Sequence, residues 1–194
     1  MGCKMKRKTG AVQGRFQGLH LGHMEFLLEA KKRCDFLIVG VTNYDIHSRF
    51  LSQEAGMGRF RPRSNPFTFY ERMMMIRLSL VEAGVPLEEF TVVPFPIEQP
   101  EKICQFVPDD VTFFQTVYDQ WGESKLETLR SLGYDAQVMW VRREEDRFTS
   151  GTQVREKMAA GEPWEQLVPP AAARFIRENG LDQRLRSEQE ALAR

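Results

Sequence analysis

The chain predicts an α/β fold, a doubly wound parallel sheet of about five strands followed by a C-terminal helical segment. Three observations carry that expectation. Apolar runs of strand length recur between segments of helical period, as repeated strand-helix-strand units require. One run, Phe36-Leu37-Ile38-Val39-Gly40-Val41, is nearly all apolar, which suits a strand covered on both faces. A glycine-rich turn containing Gly14, Gly18 and Gly22 joins the first apolar run to the first helical segment.

Taken in order, residues 10–16 predict the first strand, and residues 22–33 a helix whose Met24, Leu27 and Leu28 recur at helical spacing. Residues 36–41 form the second strand. Residues 43–66, with Gly56, Gly58, Pro62, Pro66 and four arginines, read as a long loop of the kind that carries function or disorder. A helix over residues 68–83 is ended by Gly84 and Pro86. Strands at 90–93 and 111–114, a helix at 124–131 closing at Gly133, and a strand at 137–141 follow. Helices at 152–159 and 171–178 complete a single domain over residues 1–194, with residues 1–9 and 186–194 expected as flexible ends.

Composition narrows the class. At 194 residues and 42% hydrophobic content, the chain can bury one good core. Its 27 basic and 27 acidic residues cancel, so no global field draws it to nucleic acid or an anionic membrane, and any anion site must be local. No run approaches the ~18 to 20 apolar residues of a membrane span, and the start Met1-Gly2-Cys3-Lys4-Met5-Lys6-Arg7-Lys8 lacks the apolar stretch of a secretory signal. Cys3, Cys34 and Cys104 are odd in number and widely spaced, which fits neither a disulfide framework nor a zinc site. A cytoplasmic location and no protein-built metal site are the expectations.

The first motif, Gly14-Arg15-Phe16-Gln17-Gly18 followed by His20-Leu21-Gly22-His23, bridges the carboxyl end of strand one and the amino end of helix one. Open parallel sheets bind nucleotides there, because backbone N–H groups and the helix dipole face an anion. Imidazole donors on His20 and His23 suit triphosphate oxygens and the charge that develops as pyrophosphate leaves. A single histidine at a helix start is more often a cap. Two of the chain's three histidines in one glycine-rich turn reverse that balance, whereas His47 stays in the loop as a surface residue. The second motif, Ser150-Gly151-Thr152-Gln153-Val154-Arg155, alone reads as an N-cap; Arg155, one turn after Thr152, adds a phosphate clamp. Together the motifs point to chemistry on a nucleoside triphosphate. The spacing of Gly14, Gly18 and Gly22 excludes the dinucleotide fingerprint of oxidoreductases.

These two motifs resemble the signatures of the HxGH nucleotidylyltransferases. Asn65-Pro66-Phe67-Thr68 with Glu71-Arg72-Met73, and Gly161-Glu162-Pro163-Trp164 with Leu167-Val168-Pro169, are most similar to the archaeal-type nicotinamide-mononucleotide (NMN) adenylyltransferases. The resemblance implies a Rossmann-like fold, Mg²⁺ with ATP as donor, and pyrophosphate as leaving group. It implies catalytic roles for His20, His23 and Arg155, and nucleotide contacts from Gly14, Arg15, Phe16, Gln17, Gly22, Ser150, Gly151 and Thr152. It also implies a phosphate-bearing acceptor and a homo-oligomer, with neither nucleic acid nor membrane as partner.

The acceptor side departs from that family. Gly40-Val41-Thr42-Asn43-Tyr44-Asp45 replaces a Gly-Ser-Ala-Gln-like turn, and Gln115-Thr116-Val117-Tyr118-Asp119-Gln120-Trp121-Gly122 replaces a Thr-Gly-Asn turn. The tryptophan expected near residues 101–106 to stack on nicotinamide is absent, leaving Phe106 or Trp121 as substitutes. Asn43, Arg63, Asn65, Phe67, Arg72, Tyr118, Asp119 and Trp121 are the candidate acceptor residues. Three functions follow: adenylylation of nicotinamide (or nicotinate) mononucleotide as the first expectation; transfer from CTP to a small phosphate or phosphonate, with Arg59, Arg61 and Arg63 closing over the dianion; and nucleotide sensing without turnover. The paired histidines argue against the last, because binding alone does not require both.

Overall fold

The computed structural model describes residues 8–45, 64–117, 120–143, 145 and 148–192. Within them the predicted apolar runs become β1 (Thr9–Gly14), β2 (Phe36–Val41), β3 (Phe90–Pro94), β4 (Thr112–Val117) and β5 (Asp135–Val141). The helices are α1 (Leu21–Lys32), α2 (Phe69–Glu82), α3 (Gln120–Ser131), α4 (Gly151–Ala160), α5 (Pro170–Glu178) and α6 (Leu181–Leu192). The strands form one parallel sheet in the order β3-β2-β1-β4-β5, a Rossmann-like α/β arrangement.

Period-two alternation divides the sheet's side chains between two cores. Val12, Leu37, Val39, Val41, Phe114 and Met139 pack with α1, α2, α4, α5 and α6 on one face. Ala11, Ile38, Phe113 and Ala136 pack with Leu126 and Leu129 of α3, and with Phe95 and Ile103, on the other. Apolar burial on both faces is what removes alternation from a strand such as β2.

Strand order reverses at β1, so the topological switch point lies between β1 and β4. The β1–β2 ladder runs from Thr9–Phe36 to Gly14–Val41, whereas the β1–β4 ladder comprises Gly10–Thr112 and Ala11–Phe113. Past Ala11 the two strands part, and a crevice opens at their carboxyl ends. A register shift between β4 and β5 falls at Gln115/Thr116, beside that crevice.

Boundaries differ from expectation where tertiary pairing or a turn decides them. β1 stops at Gly14 because Phe16 turns into the left-handed region at φ 50°. β4 runs on to Val117 and β5 begins at Asp135, each extended by its ladder with the other. α3 starts four residues before the expected position 124. At the ends of the described residues β1 begins at Thr9, and α6 continues to Leu192. Leu181 and Leu185 anchor α6 in the core. Arg184 of α6 donates to both carboxylate oxygens of Glu71 at 2.7 and 2.9 Å, and to the Pro66 carbonyl at 2.9 Å. Among the described residues no helix is long and apolar enough to cross a membrane.

Candidate active site

His20 and His23 form a reciprocal cap on α1. The His23 backbone N–H donates to His20 Nδ1 at 3.3 Å, and the His20 backbone N–H donates to His23 Nδ1 at 3.4 Å. Each imidazole thus takes the place of the hydroxyl or carboxylate of an ordinary capping box. The rings stack with centroids 3.7 Å apart and planes 25° apart. Because each Nδ1 accepts, the tautomer consistent with this geometry carries its hydrogen on Nε2, leaving Nε2–H as the donor.

The motif's small and aromatic residues serve this pair. A Cβ on Gly22 would lie 3.2 Å from Cε1 and Nδ1 of His20, so glycine lets the ring fold back over the turn. Phe16, held at φ 50° and buried, meets His23 edge to face at a centroid distance of 5.0 Å. Gly14 accommodates the Phe16 ring, since a Cβ there would lie 3.0 Å from it. Non-glycine residues with positive φ are costly and concentrate where a site demands them.

The second motif closes against the first. Ser150 caps α4 by accepting from the Gln153 N–H at 3.2 Å. Arg155 donates from Nη1 to the Gln17 carbonyl at 2.8 Å and from Nη2 to Thr152 Oγ1 at 3.2 Å. A Cβ on Gly151 would sit 2.4 Å from the Gln17 carbonyl oxygen, so glycine alone permits this approach. Two helix N-termini are thereby set on one crevice, and neither α1 nor α4 has an acidic residue in its first turn. Both leave backbone donors and a positive dipole end for an anion.

The charge inside the crevice is cationic. Burial pulls the Arg155 guanidinium down to about 10, and the neighbouring charge of Arg15 adds to the fall. Arg72 is likewise pulled down to about 10, by burial first and by Arg15 second. Arg15 thus opposes each of the two, and a polyanion beside Arg15 and Arg155 would relieve that repulsion. Among the described residues no three His, Cys, Asp or Glu side chains cluster as metal ligands.

Some predicted contacts lie elsewhere. Gln17 was expected at the nucleotide, but its buried amide pairs with the backbone of Phe67, donating to the carbonyl and accepting from the N–H at 3.0 Å each. Phe67 is fully buried in the core rather than facing an acceptor. Arg72, also fully buried, donates to the carbonyls of Arg15 and Thr42 at 2.7 Å, of Asn43 at 2.7 Å and of Thr68 at 3.2 Å. It fastens the ends of β1 and β2 to α2 and is a positioning residue for them.

Asn43 is buried at φ 49°, and its Nδ2 has no hydrogen-bond partner among the described residues. Asn65 is buried beside Phe67 in sequence. Arg63, Tyr118 and Asp119, with His47, Arg59 and Arg61, lie outside the described residues, as does the side chain of Trp121 in the first turn of α3. Sequence reading passed over Gln13 and took Gln115 only as the start of a changed turn, although both are amides within central strands and a polar residue in a doubly covered strand is itself a signal. It also missed that the Tyr44 ring sits beside Phe106, with centroids 6.5 Å apart.

Comparison with known proteins agrees with this geometry. The cytidylyltransferase-like family model matches residues 11–157, and the chain belongs to that family. A phosphonoformate cytidylyltransferase from Streptomyces viridochromogenes is 47% identical over 179 residues, covering 92% of this chain and 96% of the relative. A nicotinamide-nucleotide adenylyltransferase from Thermococcus kodakarensis is 32% identical over 173 residues, covering 88% and 83%. Among solved structures, a bifunctional NMN adenylyltransferase/ADP ribose pyrophosphatase from Francisella tularensis, complexed with AMP and Mn ion, is similar with a TM-score of 0.67. At 17% identity it shares the fold; it covers 97% of this chain, which spans about half, 54%, of that protein. The chain is accordingly a nucleotidyltransferase.

Proposed function

We propose that this enzyme transfers CMP from CTP to a small phosphonate, phosphonoformate or a close analogue, with release of pyrophosphate. The observation that carries the choice of acceptor is relatedness at 47% identity along nearly the whole of both chains to a protein named for this reaction.

In this reading the triphosphate lies across the N-termini of α1 and α4. Nε2–H of His20 and His23 donates to phosphate oxygens, and Arg155 and Arg15 balance the β and γ charges. Mg²⁺ bound with the nucleotide would neutralise part of the triphosphate charge, which His20, His23, Arg15 and Arg155 meet from the protein side. An oxygen of the phosphonate, already ionised near pH 7, attacks the α-phosphorus in line. The new phosphorus–oxygen bond forms as the α–β bridging bond breaks and pyrophosphate departs, so no side-chain nucleophile takes part.

A second reading, adenylylation of NMN, is supported by the 32% identical relative. Pyrophosphate release with Mg²⁺, crossing CTP and ATP against phosphonoformate and NMN, separates the two. Turnover with CTP and phosphonoformate is expected; turnover confined to ATP and NMN would replace the first reading by the second.

A further inference from the structure

We infer that Gln13 and Gln115 form a neutral amide pair that reads the second polar group of the acceptor, the one beside its reacting phosphonate. The inference rests on the proposed small-phosphonate reading and names the residues that would make it selective. Gln13 and Gln115 each stand two residues past the last β1–β4 pair, Ala11–Phe113, so parallel register sets them side by side where the strands part. Both share a face with Ala11 and Phe113, the face of the second core. The N-termini of α1 and α4 belong to helices on the other face. Donor and acceptor would thus meet at the carboxyl edge of the sheet from opposite sides.

Two independent observations mark the pair. Gln13 Oε1 is buried with no hydrogen-bond partner among the described residues, in a central strand otherwise built of Thr, Gly, Ala and Val. A buried amide atom without a partner costs on the order of 1–3 kcal/mol, so Gln13 calls for a partner that the described residues do not supply. Gln115 is buried, and the shift of β4 against β5 falls at its carboxyl side. Shifts of this kind bend a strand and re-aim a side chain, and they recur beside active sites. Terminal amide torsions are broad and roughly two-fold, so a turn of the Gln13 amide puts Nε2–H where the unpartnered Oε1 stands, a donor to a carboxylate or hydroxyl oxygen. Neutral donors also suit the position, because Arg15 already opposes both Arg72 and Arg155 and a further cation would deepen that conflict.

The test compares wild type with Gln13→Leu, Gln115→Leu and Gln13→Glu on CTP with phosphonoformate and, separately, with methylphosphonate, which lacks a second polar group. The Leu variants should lose about 10- to 100-fold in kcat/KM for phosphonoformate, mostly through KM, while methylphosphonate turnover and the KM for CTP change little. Gln13→Glu keeps the shape and adds repulsion, so it should lose more on the carboxylate-bearing acceptor. Equal losses on both acceptors, or unaltered preference for phosphonoformate, would overturn the pair's role. No turnover of phosphonoformate by the wild type would remove the functional reading itself, and the inference with it.

Discussion

Arg155 donates to the carbonyl oxygen of Gln17 at 2.8 Å, joining two segments 138 residues apart in the chain. That bond, and the glycine that permits it, make one anion site from two motifs. Its guanidinium anchors through one nitrogen to the first turn and through the other to Thr152 of its own helix.

Gly151→Ala should break this junction. Its Cβ would lie 2.4 Å from a backbone oxygen, an atom that moves only with the loop. Overpacking of this kind costs about 1–3 kcal/mol. The expected result is a lower Tm together with a raised KM for the nucleotide, measured by thermal melting and steady-state kinetics. A variant with normal Tm and KM would mean that α4 shifts without harm.

His20→Ala and His20→Asn separate capping from chemistry. Both remove the Nε2 donor, so kcat should fall by on the order of 10² to 10³ in each. Only Ala also removes the cap acceptor, at about 1 kcal/mol, because Asn is a good N-cap. Denaturant melts should therefore rank His20→Asn near wild type and His20→Ala below it.

Arg72→Met should be among the most damaging substitutions in the chain. It strands carbonyls of Arg15, Thr42 and Asn43, while that of Thr68 keeps the backbone N–H of residue 72, and buried polar groups left without partners cost about 1–3 kcal/mol each. A loss of at least about 3 kcal/mol is expected from denaturant titration. Arg72→Lys should recover part of the stability and less of the activity, since one ammonium cannot span the fork of carbonyls.

Glu71→Gln tests the tie between α2 and the C-terminal helix through pH. Burial alone would raise the Glu71 carboxyl, but hydrogen bonds from Arg184 and Thr68 and the Arg184 charge hold it below its usual 4.5. A carboxylate lowered in the folded state stabilises above the unfolded value, and that stabilisation is lost as pH falls through the folded value. The variant should be less stable than wild type by about 1–2 kcal/mol at pH 7, and the gap should close below pH 4.5. A gap independent of pH would mean that packing, not charge, makes the tie.

Pyrophosphate should raise Tm more than an equal ionic strength of chloride. Arg155 is opposed by the neighbouring charge of Arg15, and a polyanion bound beside the two offsets that repulsion. In Arg155→Met that increment should shrink, as read by thermal shift.

Sequence by itself determined much of this protein. Strands and helices were legible because apolar periodicity and caps are local, as in the Thr68/Glu71 box at the start of α2. The two phosphate motifs were legible because each is a short contiguous run, paired histidines in a glycine-rich strand-to-helix turn and an arginine one turn past a Ser-Gly-Thr helix start. Tertiary structure decided which of the motif side chains are engaged within the fold. Gln17, Phe67 and Arg72 stood in matching motifs, yet backbone carbonyls and N–H groups from other segments claim Gln17 and Arg72, and the core claims Phe67. Gln13 and Gln115 look like flaws in apolar strands until β1 and β4 part past Ala11 and Phe113 and set them on one crevice. The physical reason is range: periodicity and capping act over one or two turns, whereas the pairing of a carbonyl with a guanidinium 138 residues away exists only after the sheet has assembled.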